Sequence, residues 1–206
     1  MAAAEEPFAD ISACQFRWAM GHFATGVTVV TSVGEDGEPV GTTASAVSSL
    51  SLDPPLVLVC FDLESLTLRA IREHGAFVVN VLAAPQRHLS ANFARRGPAV
   101  AWDGVRHRPG STGSPRLEGA LAVLECTVEN NLPGGDHEIV VGRVHDVEVT
   151  SDGAAPLLYW RGSYLPLSAA ASARPGRLSS HDGVVSQPLC TSLSPSSRDR
   201  GHRPPQ

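Results

Sequence analysis

The strongest constraint on the fold is a pair of long stretches, residues 119–131 and 137–150, separated by Pro133-Gly134-Gly135-Asp136. Both read as long strands. The Gly-rich turn between them closes an antiparallel hairpin. Shorter strand signals accompany this pair. Residues 26–32 (GVTVVTS) are β-branched and alternating, and Glu35-Asp36-Gly37-Glu38 follows as a hairpin turn. Residues 40–51 read as a second strand or strand plus loop, rich in Thr, Ser and Ala, broken by Asp53-Pro54-Pro55. The continuous apolar runs 56–61 (LVLVCF) and 76–82 (AFVVNVL) have the composition of strands buried on both faces. Residues 156–164 form the last strand and its exit.

Three helices fit between these strands. Residues 10–25 place Phe16, Met20 and Phe23 at spacings of four and three, with Asp10 or Ser12 as cap and Gly26 as the closing residue. Residues 65–74 form a short helix ended by Gly75, and residues 86–95 another, stopped by Gly97-Pro98. Six or seven strands, mostly hairpin-linked, predict an antiparallel barrel with peripheral helices. Composition changes near residue 168: residues 168–206 hold nine serines, five prolines and five arginines. Such a segment has too little apolar surface to offset its ordering entropy and is expected to be a disordered tail. Residues 1–10 are expected to be a flexible N-terminus, which leaves one domain over 11–167.

Composition excludes several chemistries. All 16 basic residues are arginine, so the chain has no Walker-type phosphate lysine, no Schiff-base lysine and no lysine base. G+C-rich coding accounts for this without any functional cause. A formal charge of −5 argues against nucleic-acid binding, which needs a basic face. The four cysteines are far apart in sequence, with no CxxC pair, so neither a structural zinc site nor a disulfide framework is expected. The acidic N-terminus lacks an apolar signal core, and no apolar run has membrane-spanning length. A cytoplasmic location is expected. There is no GxSxG elbow and no GxGxxG after a strand, hence no hydrolase nucleophile or Rossmann site.

Three places have possible chemistry. Residues 41–51 (GTTASAVSSLS) bring six hydroxyls into eleven residues, with small side chains that let a ligand approach the backbone. Hydroxyls and free N–H groups are what a lysine-free phosphate or flavin site would use; a solvated, Ser-rich edge strand has the same composition. Ser65-Leu66-Thr67 opens a helix, where Ser65 is either a simple N-cap or part of an anion site. His137 follows a Gly-rich turn, between Asp136 and Glu138. With one local histidine and alternate strand residues on opposite faces, a metal site is disfavoured.

Five segments, in order, resemble the flavin reductase-like family: FRWAMGHFATGVTVVTS (16–32), GTTASAVSSLSLDPPLVLVCF (41–61), FVVNVLAAPQRHLSANFA (77–94), GDHEIVVGRV (135–144) and PLLYWRGSY (156–164). The resemblance implies a mainly β, FMN-binding split β-barrel, antiparallel with Greek-key connections and peripheral helices, that acts as a homodimer. It implies an NAD(P)H:flavin oxidoreductase: FMN or FAD is reduced by NADH or NADPH and delivered to a partner monooxygenase. By the same analogy Thr43, Ala44, Ser45, Ala46 and Val47 line the flavin ring through backbone groups, and Ser49 and Leu50 continue that wall. Glu64, Ser65 and Thr67 match the segment that holds the phosphate; Phe93 and Ala94 match residues that cover the flavin. His137 matches a histidine beside the nicotinamide, and Tyr164 an aromatic at the same mouth. The family often has a cation in the phosphate segment, where this chain has Glu64; Arg69 or Arg72 could substitute if α-helical geometry turned either inward. The alternatives are a flavoprotein with tightly bound FMN serving another redox reaction, or a non-catalytic flavin- or haem-binding barrel.

Overall fold

The computed structural model describes residues 10–95, 102–150, 153–165 and 167. The expected tail, the N-terminal residues 1–9 and the Gly97-Pro98 helix stop lie outside them. Twelve strands and three α-helices follow one another along the described chain. They are α1 (Ala13–Met20), β1 (Thr25–Gly26), β2 (Thr28–Val33), β3 (Pro39–Ala44), β4 (Val47–Leu52) and β5 (Pro55–Asp62). Next come α2 (Leu66–His74), β6 (Ala76–Val81), α3 (Arg87–Phe93), β7 (His107–Pro109) and β8 (Pro115–Leu117). The chain continues through β9 (Ala122–Gly134), β10 (His137–Val149), β11 (Leu158–Trp160) and β12 (Ser163–Leu165).

Seven strands form one antiparallel sheet in the order β3-β2-β6-β9-β10-β5-β4. The long hairpin expected from the sequence is its centre: β9 and β10 pair from Val149↔Ala122 to His137↔Gly134, with two register shifts along the way. The edge strands β3 and β4 are consecutive in the chain, with only Ser45 and Ala46 between them. The sheet therefore curls until its two ends share one corner, where the Cys60 amide donates to the Ala46 carbonyl at 3.0 Å.

The core fills the inside of this curl. Val30, Val59, Phe61, Leu68, Ile71, Phe77, Val79 and Val140 form its main cluster. β6 is buried on both faces, as its composition predicts, whereas β5 alternates between buried and half-buried positions. The apolar run 56–61 is thus not doubly covered; its outer side faces the corner. Gly142 lets β10 pass Phe77, because a Cβ there would meet Phe77 Cζ at 2.3 Å.

Two features escaped the sequence reading. The first is the β7–β8 hairpin, docked by Asn80: this buried side chain bonds the Val29 carbonyl at 3.1 Å and accepts from the Leu117 amide at 2.8 Å. The second is a buried carboxylate, Glu125 (0% exposed), held by the Arg116 guanidinium and by the amide and hydroxyl of Ser111. Burial pushes the Glu125 carboxyl up, but the Ser111 hydroxyl, Arg116 and the Ser111 amide outweigh it, so the net displacement is downward.

The first helix also differs from expectation. Ser12 caps it through a reciprocal bond pair with Gln15, but it ends at Gly21 rather than Gly26, and none of its residues is buried. Residues 40–51 are two strands rather than one, and residues 156–164 contribute to a two-strand hairpin, β11–β12, turned at Arg161-Gly162.

Two stability tests follow from this packing. Gly142→Ala overpacks the site against Phe77 and should cost about 1–3 kcal/mol, read from the denaturant midpoint. Glu125→Gln should lower Tm at neutral pH. A carboxyl whose folded pKa is depressed contributes stability above its unfolded pKa and loses it as pH falls through the folded value. The Tm difference between the variant and the parent should therefore shrink toward acid pH, and a difference constant with pH would contradict this role.

Candidate functional site

The corner at Ser45–Ala46 is one end of a groove, and the start of α2 is the other. Helix α2 begins four residues after β5, with Ser65 as its cap. The Ser65 hydroxyl accepts from the Leu68 amide at 3.3 Å, and the Ser65 amide donates to the Asp62 carbonyl at 2.9 Å. The first-turn amides of Leu66 and Thr67 have no intrahelical acceptor and sit at the positive end of the helix dipole. At the far end Gly75, in the left-handed region at φ 74°, closes the helix.

A cavity of about 380 Å³ opens against this N-terminus, lined by Gly41, Thr42, Asp62, Glu64, Ser65, Leu66, Thr67, Ala94 and Arg95. A second, of about 260 Å³, shares Thr42 and Ala94 with it and adds Thr43, Ser45, Ser90, Tyr159 and Tyr164. A third, of about 380 Å³, shares Ser45 and Tyr159 with the second and is walled by Ala46, Val47, Cys60, Phe23 and Trp160. The shared residues make one trough, polar at the α2 end and apolar at the corner. Its floor is thin at Gly41, whose backbone lies against the Phe93 ring; a Cβ there would come within 3.1 Å of that ring.

Most of the residues singled out in sequence meet along this trough. Thr43 donates to the Ser90 carbonyl at 2.8 Å, and Ser90 Oγ and Tyr164 OH are 2.7 Å apart, which ties β3, α3 and β12 into one wall. Ala44 is buried, and its carbonyl accepts from Thr28 Oγ1 at 2.7 Å. Ser45, Ala46 and Val47 form the turn and the first residue of β4 at the corner; Ser49 lines an adjoining cavity of about 440 Å³. Ser65 and Thr67 lie at the helix start, and Glu64 and Ala94 on the same cavity. Phe93, Leu50 and His137 fall elsewhere. Phe93 is 1% exposed, edge-on to Trp102 at 5.0 Å, so it backs the wall instead of covering the trough. Leu50 is half-exposed on β4, between the paired positions Ser49 and Ser51 where the register shifts.

His137 opens β10, directly across from Asp62 on β5. It is half-exposed, does not line the three cavities, and shares a 2.7 Å bond with the Asp136 carboxylate. That bond from His137 holds the Asp136 carboxyl below its ordinary range. The next residue, Glu138, accepts from Nε and Nη2 of the Arg72 guanidinium, which lowers its carboxyl despite partial burial.

The condition under which Arg69 or Arg72 could serve as the cation, an inward turn, is not met. Arg72 is committed to Glu138, and Arg69 to Glu73 at 3.1 Å and Glu35 at 3.6 Å; neither lines the trough. Arg95 does. Its position one residue past Ala94 gave no signal in sequence, and neither did Phe23, Tyr159 or Trp160, which come to the corner through the β1–β11 pairing. Among the described residues no cluster of His, Cys, Asp and Glu could hold a metal ion, and no helix is long and apolar enough to cross a membrane.

Comparison with known proteins agrees with this geometry. The flavin reductase like domain family matches residues 20–168. The reductase subunit HsaB of a flavin-dependent monooxygenase from Mycobacterium tuberculosis is 43% identical over 157 residues, 76% of this chain and 83% of that protein. A flavin reductase (NADH) from Kitasatospora aureofaciens is 46% identical over 147 residues, 70% of this chain and 76% of that one. Among solved structures, the NADH:FAD oxidoreductase SgcE6 of Streptomyces globisporus C-1027, in complex with NAD and FAD fragments, superposes with a TM-score of 0.72. It is 34% identical, covering 77% of this chain and 94% of that chain. A match that spans the whole sheet, the trough and His137 places this chain in the flavin reductase like domain family.

Proposed function

We propose that the trough binds FMN or FAD and that this chain is an NAD(P)H:flavin oxidoreductase which releases reduced flavin to a partner monooxygenase. The observation that carries this reading is the continuity of the trough. A flat apolar ring with an anionic tail fits a cleft that has small residues and aromatics at one end and helix amides with hydroxyls at the other.

When bound, a flavin accepts reducing equivalents from a reduced nicotinamide, and that reactivity belongs to the cofactors. The chain supplies position. The Leu66 and Thr67 amides and the Ser65 and Thr67 hydroxyls hold the phosphate end. The backbone from Thr43 to Val47 presents N–H and C=O groups beside the ring, and the absence of bulky side chains there lets the ring approach. Tyr159, Tyr164 and Phe23 keep water from the corner. His137, aligned by Asp136, orients the nicotinamide at the rim and moves no proton.

The curled sheet is that of a split barrel, and a second copy completes it. α1 supports this: Phe16 and Trp18 are 60% and 68% exposed, and Met20 and Phe23 are also open. A helix so apolar and so uncovered is a surface for a partner, and Met20 and Phe23 also border the corner cavity. Delivery of reduced flavin to an oxygenase rests on the relatives named as reductase subunits.

Steady-state NADH oxidation with FMN, FAD or riboflavin added in turn tests the reading, and no oxidation with any of the three would refute it. His137→Ala should raise the apparent KM for NAD(P)H by about tenfold, the scale of one lost hydrogen bond, with flavin Kd nearly unchanged. Loss of flavin binding instead would remove His137 from the nicotinamide side.

A further inference from the structure

The geometry points to Arg95 as the residue that makes the trough select phosphorylated flavins over riboflavin, with Glu64 set against it; this rests on the function proposed above. At the α2 end the neutral donors are hydroxyls and first-turn amides, which a phosphate shares with any polar ligand. The charged groups are few. Glu64 brings a carboxylate to the cavity, and Arg95 is the one cation lining it among the described residues. The other two arginines of this region have carboxylate partners, Arg69 with Glu73 and Glu35, Arg72 with Glu138. Arg95 has no ion-pair partner among the described residues. It stands just past α3, and its amide donates to the Asn92 carbonyl at 3.2 Å, which fixes its backbone at the edge of the cavity.

A phosphate entering this end meets the Glu64 carboxylate, which repels it. Against that charge the amides and hydroxyls at the helix start supply only part of a preference for FMN over riboflavin, which has the same ring and ribityl chain but no phosphate. A guanidinium matches a phosphate in both charge and fork geometry, and such charge-assisted bonds are worth more than neutral ones. The discrimination therefore depends on one side chain, and on a balance of charge around it.

Equilibrium titration of flavin fluorescence, with FMN and riboflavin as separate probes on the full chain, reads this without turnover. Arg95→Ala should raise the Kd for FMN about tenfold or more, the scale of one charge-assisted bond. The Kd for riboflavin should stay within about twofold, the scale of an exposed charge effect, and Arg95→Lys should recover part of the FMN loss. Glu64→Gln should move the other way, tightening FMN about twofold with riboflavin level, as removal of one exposed repulsive charge would. Added salt should weaken FMN more than riboflavin in the parent and lose that difference in Arg95→Ala. Equal loss of both flavins in Arg95→Ala, or no change in their ratio in either variant, overturns the assignment while leaving a flavin-binding chain. A parent chain that binds neither flavin overturns the proposed function as well, so the two failures are distinguishable.

Discussion

The two-residue step from β3 to β4 is the constraint on which the rest of the structure depends. Two strands at opposite ends of a seven-stranded sheet cannot be consecutive unless the sheet curls, and Ser45-Ala46 is the whole connection. The curl encloses the apolar inner faces of β2, β5, β6 and β10 around Phe77. It also leaves a corner where backbone is exposed beside small side chains. A bulkier connection would fill that corner, and a longer one would let the edges drift apart. The trough is a by-product of joining the two edge strands with so little chain.

The polar end has a separate origin. α2 is held by a Ser cap at one end and a left-handed Gly at the other, and its buried side, Leu68 and Ile71, packs into the core. Its N-terminus must therefore point where β5 leaves it, toward Gly41 and Thr42. Local signals fix this helix, and core packing aims it.

Much of this was legible in the residues. The β9–β10 hairpin, the doubly buried β6 and the limits of α2 follow from a Gly-rich turn between long strands, an apolar run and caps. The errors have physical causes. Residues 40–51 lack any Gly or Pro at Ser45-Ala46, so nothing local marks the break; the corner is imposed by pairing β3 and β4 to different partners. β5 reads as doubly buried because its outer face, though partly open, is apolar. The charged core group Glu125 is invisible because its partners, Ser111 and Arg116, come from a hairpin whose strands are only three residues each. In the site, the hydroxyl-rich strand and the Ser cap were readable, while Arg95 was not: the direction of a side chain after a helix end is set by tertiary contacts. Arg69 and Arg72 looked closer in sequence, but acidic neighbours claim them.

The Arg72–Glu138 pair has a consequence beyond its own bond. It joins the last turn of α2 to the residue beside His137, while Asp62, at the end of β5, pairs directly with His137. The helix that starts at the polar end of the trough and the strand that presents His137 are thus two parts of one frame. Neither end has to be assembled by the ligand at the other. The proposed release of flavin in each cycle gains from this, because binding energy stored in a closing motion would have to be returned before release.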